Sequence, residues 1–431
     1  MCYNGGMKRI VSIAIYAALM VSLSVSASAD AFGSFLYSYN YSAGQFLDVS
    51  ESDWYARYVE DAYNFGLIMG KSSNEFAPED VLTFGEAVTI VARIRSIYYT
   101  GRANFAVSNP FYSVYADYAR ANGFIDRDGG HDFNAPATRA QFAELIFSAL
   151  PSEALEEINT ISDYGITDVV HGTHFSDAVY ALYRAGILSG SDRFGTFLPH
   201  SNITRAEVGA ITVRLASPDA RIRTTLPTQI PAEIIYRRSI DAVFTLETFD
   251  TEGESIRTGT GFFITSGGLA VTNLHVLDNA ADAEITFSGK DRYAVRGVHA
   301  VCRENNLAVI SIDSDAGDWS ILNMANSDLI ETGNTVYVIG NPMELTGTIT
   351  DGIVSNSMRD VDGSDMIQFS APISFGSGGS PLLNARGQVI GVASTSYSYG
   401  QNLNLAVPIN FVKDLRTDQY VSLESLLEHE E

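Results

Sequence analysis

Cysteine is almost missing from this sequence, with two in 431 residues. Cys2 precedes the first apolar stretch and would leave with it, so Cys302 stands alone and no internal disulfide can form in what remains. Ordinary packed cores must hold the chain, and Cys302 reads as a small buried hydrophobe rather than a reactive thiol. Positive charge is also scarce. Lys and Arg number 27 against 51 Asp and Glu, a formal net charge of −24. That balance repels nucleic acid and anionic lipid and makes both poor partners. Clusters with metal-ligand spacing are few. His171 and His174 have such spacing but no Cys or third ligand nearby, so they read as a solvated loop. The acidic stretch from Asp360 to Asp365 lacks the glycine and glutamate placement of an EF-hand loop and reads as a hairpin turn. No metal and no cofactor is expected. A long apolar run occurs at the start, from Ile10 to Val25, behind Met7-Lys8-Arg9 and ahead of Ala27-Ser28-Ala29. It is short for a membrane span, which needs about 20 residues. Residues 1–29 therefore read as a secretion signal, and no membrane span is expected after its cleavage.

What is present divides into two unlike parts. The length implies two or more domains, and 46% hydrophobic with 18% charged residues describes a foldable globular chain. Three repeats come first, over residues 44–100, 101–155 and 160–216. Each reads helix, glycine stop, loop with proline, capped helix. The stops are Gly66, Gly123 and Gly186; the loops are Phe76-Ala77-Pro78, Phe133-Asn134-Ala135-Pro136 and Phe197-Leu198-Pro199. Thr83, Thr138 and Thr204 are placed as N-caps, and Glu86 and Glu207 follow three residues on, as in a capping box. Apolar residues at helical spacing (Val88 and Val91; Val208, Ile211 and Leu215) give the second helices a buried face.

These units resemble S-layer homology (SLH) modules. The resemblance implies a pseudo-threefold helical bundle that binds pyruvylated secondary cell-wall polysaccharide, on a secreted protein held at the cell wall or S-layer surface. It also implies that the arginines of the Thr-Arg-Ala-Glu motif, Arg139 and Arg205, contact the acidic sugar. Phe84 replaces that arginine in the first repeat, so a full site is not expected there. Trp54 is a candidate for stacking on a sugar. The plainer alternatives are a surface salt bridge for each arginine and core packing for Trp54.

Residues 217–238 read as a linker, with Ser217-Pro218-Asp219, Leu226-Pro227-Thr228 and a short helix from Glu233 to Ser239. From 239 to 416, short β-branched and aromatic runs alternate with Gly, Asp and Asn turns, which indicates an all-β barrel or sandwich. Residues 417–431 form an acidic tail. Gly259-Thr260-Gly261-Phe262-Phe263, Thr272-Asn273-Leu274-His275-Val276, Leu307-Ala308-Val309 and residues 373–384 resemble, in order, segments of the trypsin-like serine proteases of the HtrA type. Residues 348–355 and 403–410 extend the match. The resemblance implies an all-β double barrel with a site in its cleft, following the α-helical three-repeat bundle.

Carried over residue by residue, His275 falls on the general base and Asn306 on the aspartate that orients it. Gly378 falls on the nucleophilic serine, and Gly376, Ser377 and Gly378 on the oxyanion hole. Ser380 stands where the family has glycine. Acyl transfer needs a nucleophile, a base and an acid residue that fixes the base's tautomer; glycine supplies no nucleophile and asparagine no charge. The expectation is a wall-anchored pseudoprotease that binds extended peptide or unfolded protein without cleaving it. One alternative is an active surface serine endopeptidase that uses a displaced Ser377 or Ser380 with His275. That reading needs a one-residue shift, which on a strand-like segment turns the side chain the other way. It could also recruit Glu304 or Asp313 to orient the base. A second alternative is a structural envelope protein.

Overall fold

A computed structural model describes residues 31–425 apart from 128, 170–171, 288–290, 313–318, 343–344, 395–402, 418–419 and 424. The segment read as a secretion signal, His171, Asp313 and much of the acidic tail lie outside the described residues. The chain forms two units. One holds the residues up to Ile161 together with Gly172–Ser191 and Phe197–Thr225; the other holds Ser162–His171, Asp192–Thr196 and the chain from Leu226 onward.

The first unit contains three helix pairs: α1 (Ala56–Asn64) with α2 (Phe84–Thr100), α3 (Ser113–Ala121) with α4 (Arg139–Ala149), and α5 (Ser176–Arg184) with α6 (Arg205–Ala216). Thr83, Thr138 and Thr204 cap the second helix of each pair. All three caps are full capping boxes. The sequence reading had two of them; Gln141 completes the third, as glutamine can. Before each cap the chain passes the centre of the unit. There Leu82 N–H donates to Ile203 O (3.0 Å), Ile203 N–H to Ala137 O (3.0 Å), and Ala137 N–H to Leu82 O (2.8 Å), which closes a ring. The first N–H of each following helix, an orphan in an isolated helix, donates to the loop of another repeat. Phe84 N–H bonds Ala135 O, Arg139 N–H bonds Ser201 O and Arg205 N–H bonds Asp80 O, each at 2.9 Å. The repeats thus join cyclically, first to second, second to third, third to first.

The second unit starts with α7 (Ala232–Ser239), whose Ile235 is buried. Two closed antiparallel barrels follow. The first is formed by β1 (Val243–Phe249), β2 (Ser255–Phe263), β3 (Leu269–Asn273), β4 (Asp282–Phe287), β5 (Asp291–Cys302) and β6 (Leu307–Ile312), in the order β1-β2-β3-β6-β5-β4. The second uses β7 (Thr335–Gly340), β8 (Thr348–Val361), β9 (Ser364–Phe369), β10 (Pro381–Asn384), β11 (Val389–Ser394) and β12 (Asn404–Pro408), in the order β10-β11-β12-β9-β8-β7. Counted from its own first strand, the second barrel has the same cyclic order as the first. Phe244, Phe263 and Ile310 fill the first barrel, while Val354, Phe369 and Leu382 fill the second. A third cluster, with Phe262, Val271, Ile339, Leu383, Val392 and Val407, joins residues from both barrels and fixes them around the cleft. A short helix, α8 (Asn410–Lys413), follows β12.

Asp360 to Asp365 is a hairpin turn between β8 and β9, with Gly363 N–H on Asp360 Oδ1 at 3.1 Å. Cys302 is half-buried rather than buried and lies 3.4 Å from Asn305 Nδ2. The described part of the tail is built into the fold. Val421 exchanges backbone hydrogen bonds with Val298 at 2.9 Å, and Leu423 enters the first barrel's core.

Candidate functional site

His275 sits in the 3₁₀ turn Leu274–Val276 that ends β3. Asn306, between β5 and β6, builds this turn from both its backbone and its side chain. It takes the left-handed conformation (φ 52°) that asparagine tolerates better than most residues. Its carbonyl accepts Leu274 N–H at 3.0 Å and Asn273 Nδ2 at 3.2 Å. Its Oδ1 accepts the His275 backbone N–H at 2.8 Å, and its Nδ2 lies 2.8 Å from His275 Nδ1. Burial pushes the imidazole below the ordinary histidine range, opposed by its hydrogen bond to Asn306 and by nearby Asp278 and aided by Arg257. Arg257 donates to His275 O at 3.1 Å and approaches Asp278 at 3.9 Å.

The glycine-rich turn faces this histidine turn across a thin wall. At Gly259 a Cβ would meet Val276 Cγ2 at 2.7 Å and Gly378 O at 3.2 Å, so only glycine lets the two segments come this close. Ser377 N–H bonds Ser374 O at 2.9 Å with Gly376 at φ 87°, the type II turn pattern. Thr260 ties the loop down, accepting nothing from it but donating Oγ1–H to Gly376 O and N–H to Gly378 O, each at 2.8 Å. Gly379, at φ 88°, approaches Thr260 O so closely that a Cβ would stand 2.0 Å from it. Gly378, by contrast, is not among the positive-φ glycines. Among the described residues, no acceptor takes the N–H of Gly376 or Gly378.

Neither serine of this loop bonds the His275 ring. Ser377 is buried, and its Oγ accepts Ser374 N–H at 3.3 Å. Ser380 is fully buried with no partner for its hydroxyl, which points at Gly340: a Cβ there would lie 2.2 Å from Ser380 Oγ. Beside the turn is a cavity of about 160 Å³ lined by Val338, Pro342, Thr350, Pro372, Ile373 and Ser377, among others. Phe375, next in the chain to the lining residue Ser374, is exposed. That Asn306 would stand beside His275 was legible in the sequence; its second role, as the brace of the histidine turn, was not.

In the helical unit the two arginines are not surface salt bridges. Each is only 7% exposed. Arg205 donates from Nε to Phe76 O at 2.8 Å and from Nη2 to Met69 O at 2.7 Å, with its guanidinium 4.9 Å from the centre of the Phe76 ring. Burial lowers its pKa. Arg139 repeats the arrangement one repeat earlier: Nε donates to Phe197 O at 2.6 Å, the Phe197 ring lies 5.3 Å away, and Nη1 pairs with Glu207. Phe84, the counterpart in the first repeat, stacks on His131 at 4.8 Å and meets Phe133 at 5.6 Å. Trp54 is 60% exposed, so it is not core packing. Together with Arg139, Leu188, Ser191, Glu207 and Arg214 it lines a cavity of about 420 Å³. Arg205 does not line it. Sequence reading missed Glu207 and Arg214: the first looked like a cap alone, and the second lies outside the repeated motif. His174 is exposed and lies 3.7 Å from Glu144, and the described residues contain no cluster suited to a metal ion.

Comparison with known proteins agrees with this architecture. The family profile of the trypsin-like peptidase domain matches residues 259–392, and that of the S-layer homology domain matches 45–88 and 165–208. The chain is 37% identical over 171 residues to a probable periplasmic serine endoprotease DegP-like of Chlamydia trachomatis, covering 38% of this chain and 34% of that protein. It is 32% identical over 173 residues to human serine protease HTRA4, covering 38% of this chain and 35% of that one. A solved HtrA-type protease, AlgW with tripeptide, aligns at 26% identity and a TM-score of 0.39 over 46% of this chain and 64% of the other. The match thus spans about a third of the length of these curated relatives.

Proposed function

We propose that this chain, which carries S-layer homology repeats and an HtrA-like, trypsin-like peptidase domain, holds peptide in its β-barrel cleft at the cell surface without cutting it. One observation carries the reading: the loop that faces His275 has no side chain at position 378, and the hydroxyls on either side, on Ser377 and Ser380, are buried and turned elsewhere. A base without a nucleophile cannot begin acyl transfer. The partner of the base is Asn306, and an aspartate-to-asparagine change in such a triad lowers turnover by about 10⁴. Backbone donors at Gly376 and Gly378 could still bind a carbonyl oxygen, but a hole of this kind alone gives only about 10³-fold over water. The cavity beside the turn suits a small aliphatic side chain of a peptide laid along residues 372–375 as an added strand.

The repeats supply the cell-surface association. The groove that joins Trp54 to Arg139 and Arg214 offers an exposed aromatic face beside cationic groups, which suits an acidic sugar such as a pyruvylated wall polysaccharide. Arg205, taken up by internal carbonyls, acts instead as a wedge between repeats.

The test uses the wild-type chain with a fluorophosphonate probe and unfolded casein. Binding without labelling or cleavage is the expected result. Labelling of Ser377 or Ser380 that is lost in His275→Ala would replace this reading with an active endopeptidase.

A further inference from the structure

Strand β5 is twice as long as the strand beside it, 12 residues against 6 in β4. Their pairing ends at Ala294, while β5 stays paired with β6 out to Cys302. The second half of β5 therefore keeps one edge that no strand of the barrel covers, among the described residues. Such an edge is a template for another extended chain. The tail lies on it. Val421 and Val298 exchange N–H···O bonds of 2.9 Å each, as a narrow antiparallel pair. Tyr420 donates its hydroxyl to Arg296 O at 2.6 Å and sets its ring 5.6 Å from that of His299. At Gly297 a Cβ would stand 2.6 Å from Tyr420 Cε2, so a bare α-carbon is what admits the tyrosine. Leu423 is buried in the core of the first barrel. Recognition is thus divided among a tyrosine, a backbone pair and a leucine. The hold is light all the same. Val421 makes the tail's single strand pairing among the described residues, and Tyr420 and Val421 remain 54% and 39% exposed. The barrel beneath closes from its own six strands without the tail.

We propose that this edge is a strand-docking site for an extended Tyr-Val-x-Leu segment, and that the segment it exchanges is the tail of a second copy of this chain. Each copy carries both the edge and the segment. Two copies that trade tails therefore keep every bond named above and close as a two-fold pair. In a lone chain the tail fills its own edge, because the tether gives it a high effective concentration. The site uses none of the cleft residues and does not depend on how the cleft is read.

The test uses the full chain and a dye-labelled peptide of residues 415–425. Leu423→Asp in the chain puts a carboxylate in an apolar core and is expected to release the tail. By anisotropy the peptide should then bind this variant about tenfold tighter than wild type, whose own tail competes. The same peptide methylated on the nitrogen of Val421, which cannot donate to Val298 O, should not bind. Equal binding to the two chains, or equal binding of the two peptides, overturns the site. Hydrogen exchange on the wild-type chain needs no variant: the Val298 amide is expected to exchange faster than that of Val309 and to slow when free peptide is added. A Val298 amide as protected as Val309, and indifferent to the peptide, overturns the proposal. Sedimentation should show a dimer of the wild type that grows with concentration and is absent in Leu423→Asp. A wild type that stays monomeric at every concentration overturns the exchange between copies.

Discussion

On the reading proposed above, each unit departs at one motif position from the pattern it resembles, and the two departures differ in kind. In the helical unit Phe84 stands where 139 and 205 carry arginine, and the space is refilled: its ring stacks on His131 and meets Phe133 at a tilt while its N–H keeps the same cyclic bond. In the barrels, where the proposed reading sets Gly378 at the place of a serine, the turn is held by backbone bonds from Thr260 to Gly378 O, from Gly379 to Ala393 O and from Ser380 to Ser377 O. The first change is compensated by packing, so it belongs to the structure. On the proposed reading the second takes away a reacting group and leaves the frame. Backbone hydrogen bonds carry the frame in both units, which is how a motif can lose its reaction and keep its shape.

The largest effect that could break this contrast is a gain of activity. Asn306→Asp with Gly378→Ser is expected to yield cleavage of unfolded casein, with the aspartate alone contributing about 10⁴ in turnover. Serine is admissible because position 378 does not need a positive φ. A folded double variant that cuts nothing would mean that the cleft lacks more than two side chains.

Next in size are changes to the frame. Gly379→Ala forces a Cβ to 2.0 Å from Thr260 O at a φ of 88° and should lower the stability of the barrels by about 3 kcal/mol or more. Gly378→Ala, at a buried position that needs no positive φ, should cost less than Gly379→Ala. Calorimetry of the two variants compares them directly; equal losses would end the distinction drawn between the two glycines.

A smaller effect separates wedge from ligand contact in the repeats. Arg205→Ala leaves the carbonyls of Phe76 and Met69 without their donor and should cost about 2 kcal/mol. Trp54→Ala should cost within about 0.5 kcal/mol yet weaken pull-down of purified wall polysaccharide. Loss of stability in the tryptophan variant, or none in the arginine variant, would reverse the two roles.

The smallest effect is on pH dependence. Burial holds the folded His275 pKa below its ordinary 6.5, so the unfolded chain binds the proton more readily. The contribution is fully present above 6.5 and falls away as pH drops through 6.5 toward the folded value. His275→Gln should therefore lose less stability than wild type on acidification across that window, measured by urea unfolding.

Much of this was legible in the sequence because the frame is written in local signals. Threonine caps, glycine stops and Phe-x-Pro loops mark the repeats, and the ordered β motifs mark the barrels. What could not be read was the second use of residues that already had a first. Glu207 closes a capping box through one oxygen and meets Arg139 through the other. Asn306 faces the His275 ring through its amide nitrogen and braces the turn that carries it through its oxygen. The arginines have the spacing of ligand contacts, but their burial depends on loops about 58 and 129 positions away in the chain. Such pairings arise from closure of the fold and leave no short-range trace.

That closure has a consequence for the module as a whole. A linear array of repeats can gain or lose a unit and needs special ends to shield its last faces. Leu82, Ala137 and Ile203 instead complete a circuit in which every member is both giver and receiver. A circuit of three has no terminus to protect and no vacancy for a fourth, so deleting one member should unravel the other two. Whatever grips the envelope through this module does so with a unit of fixed size.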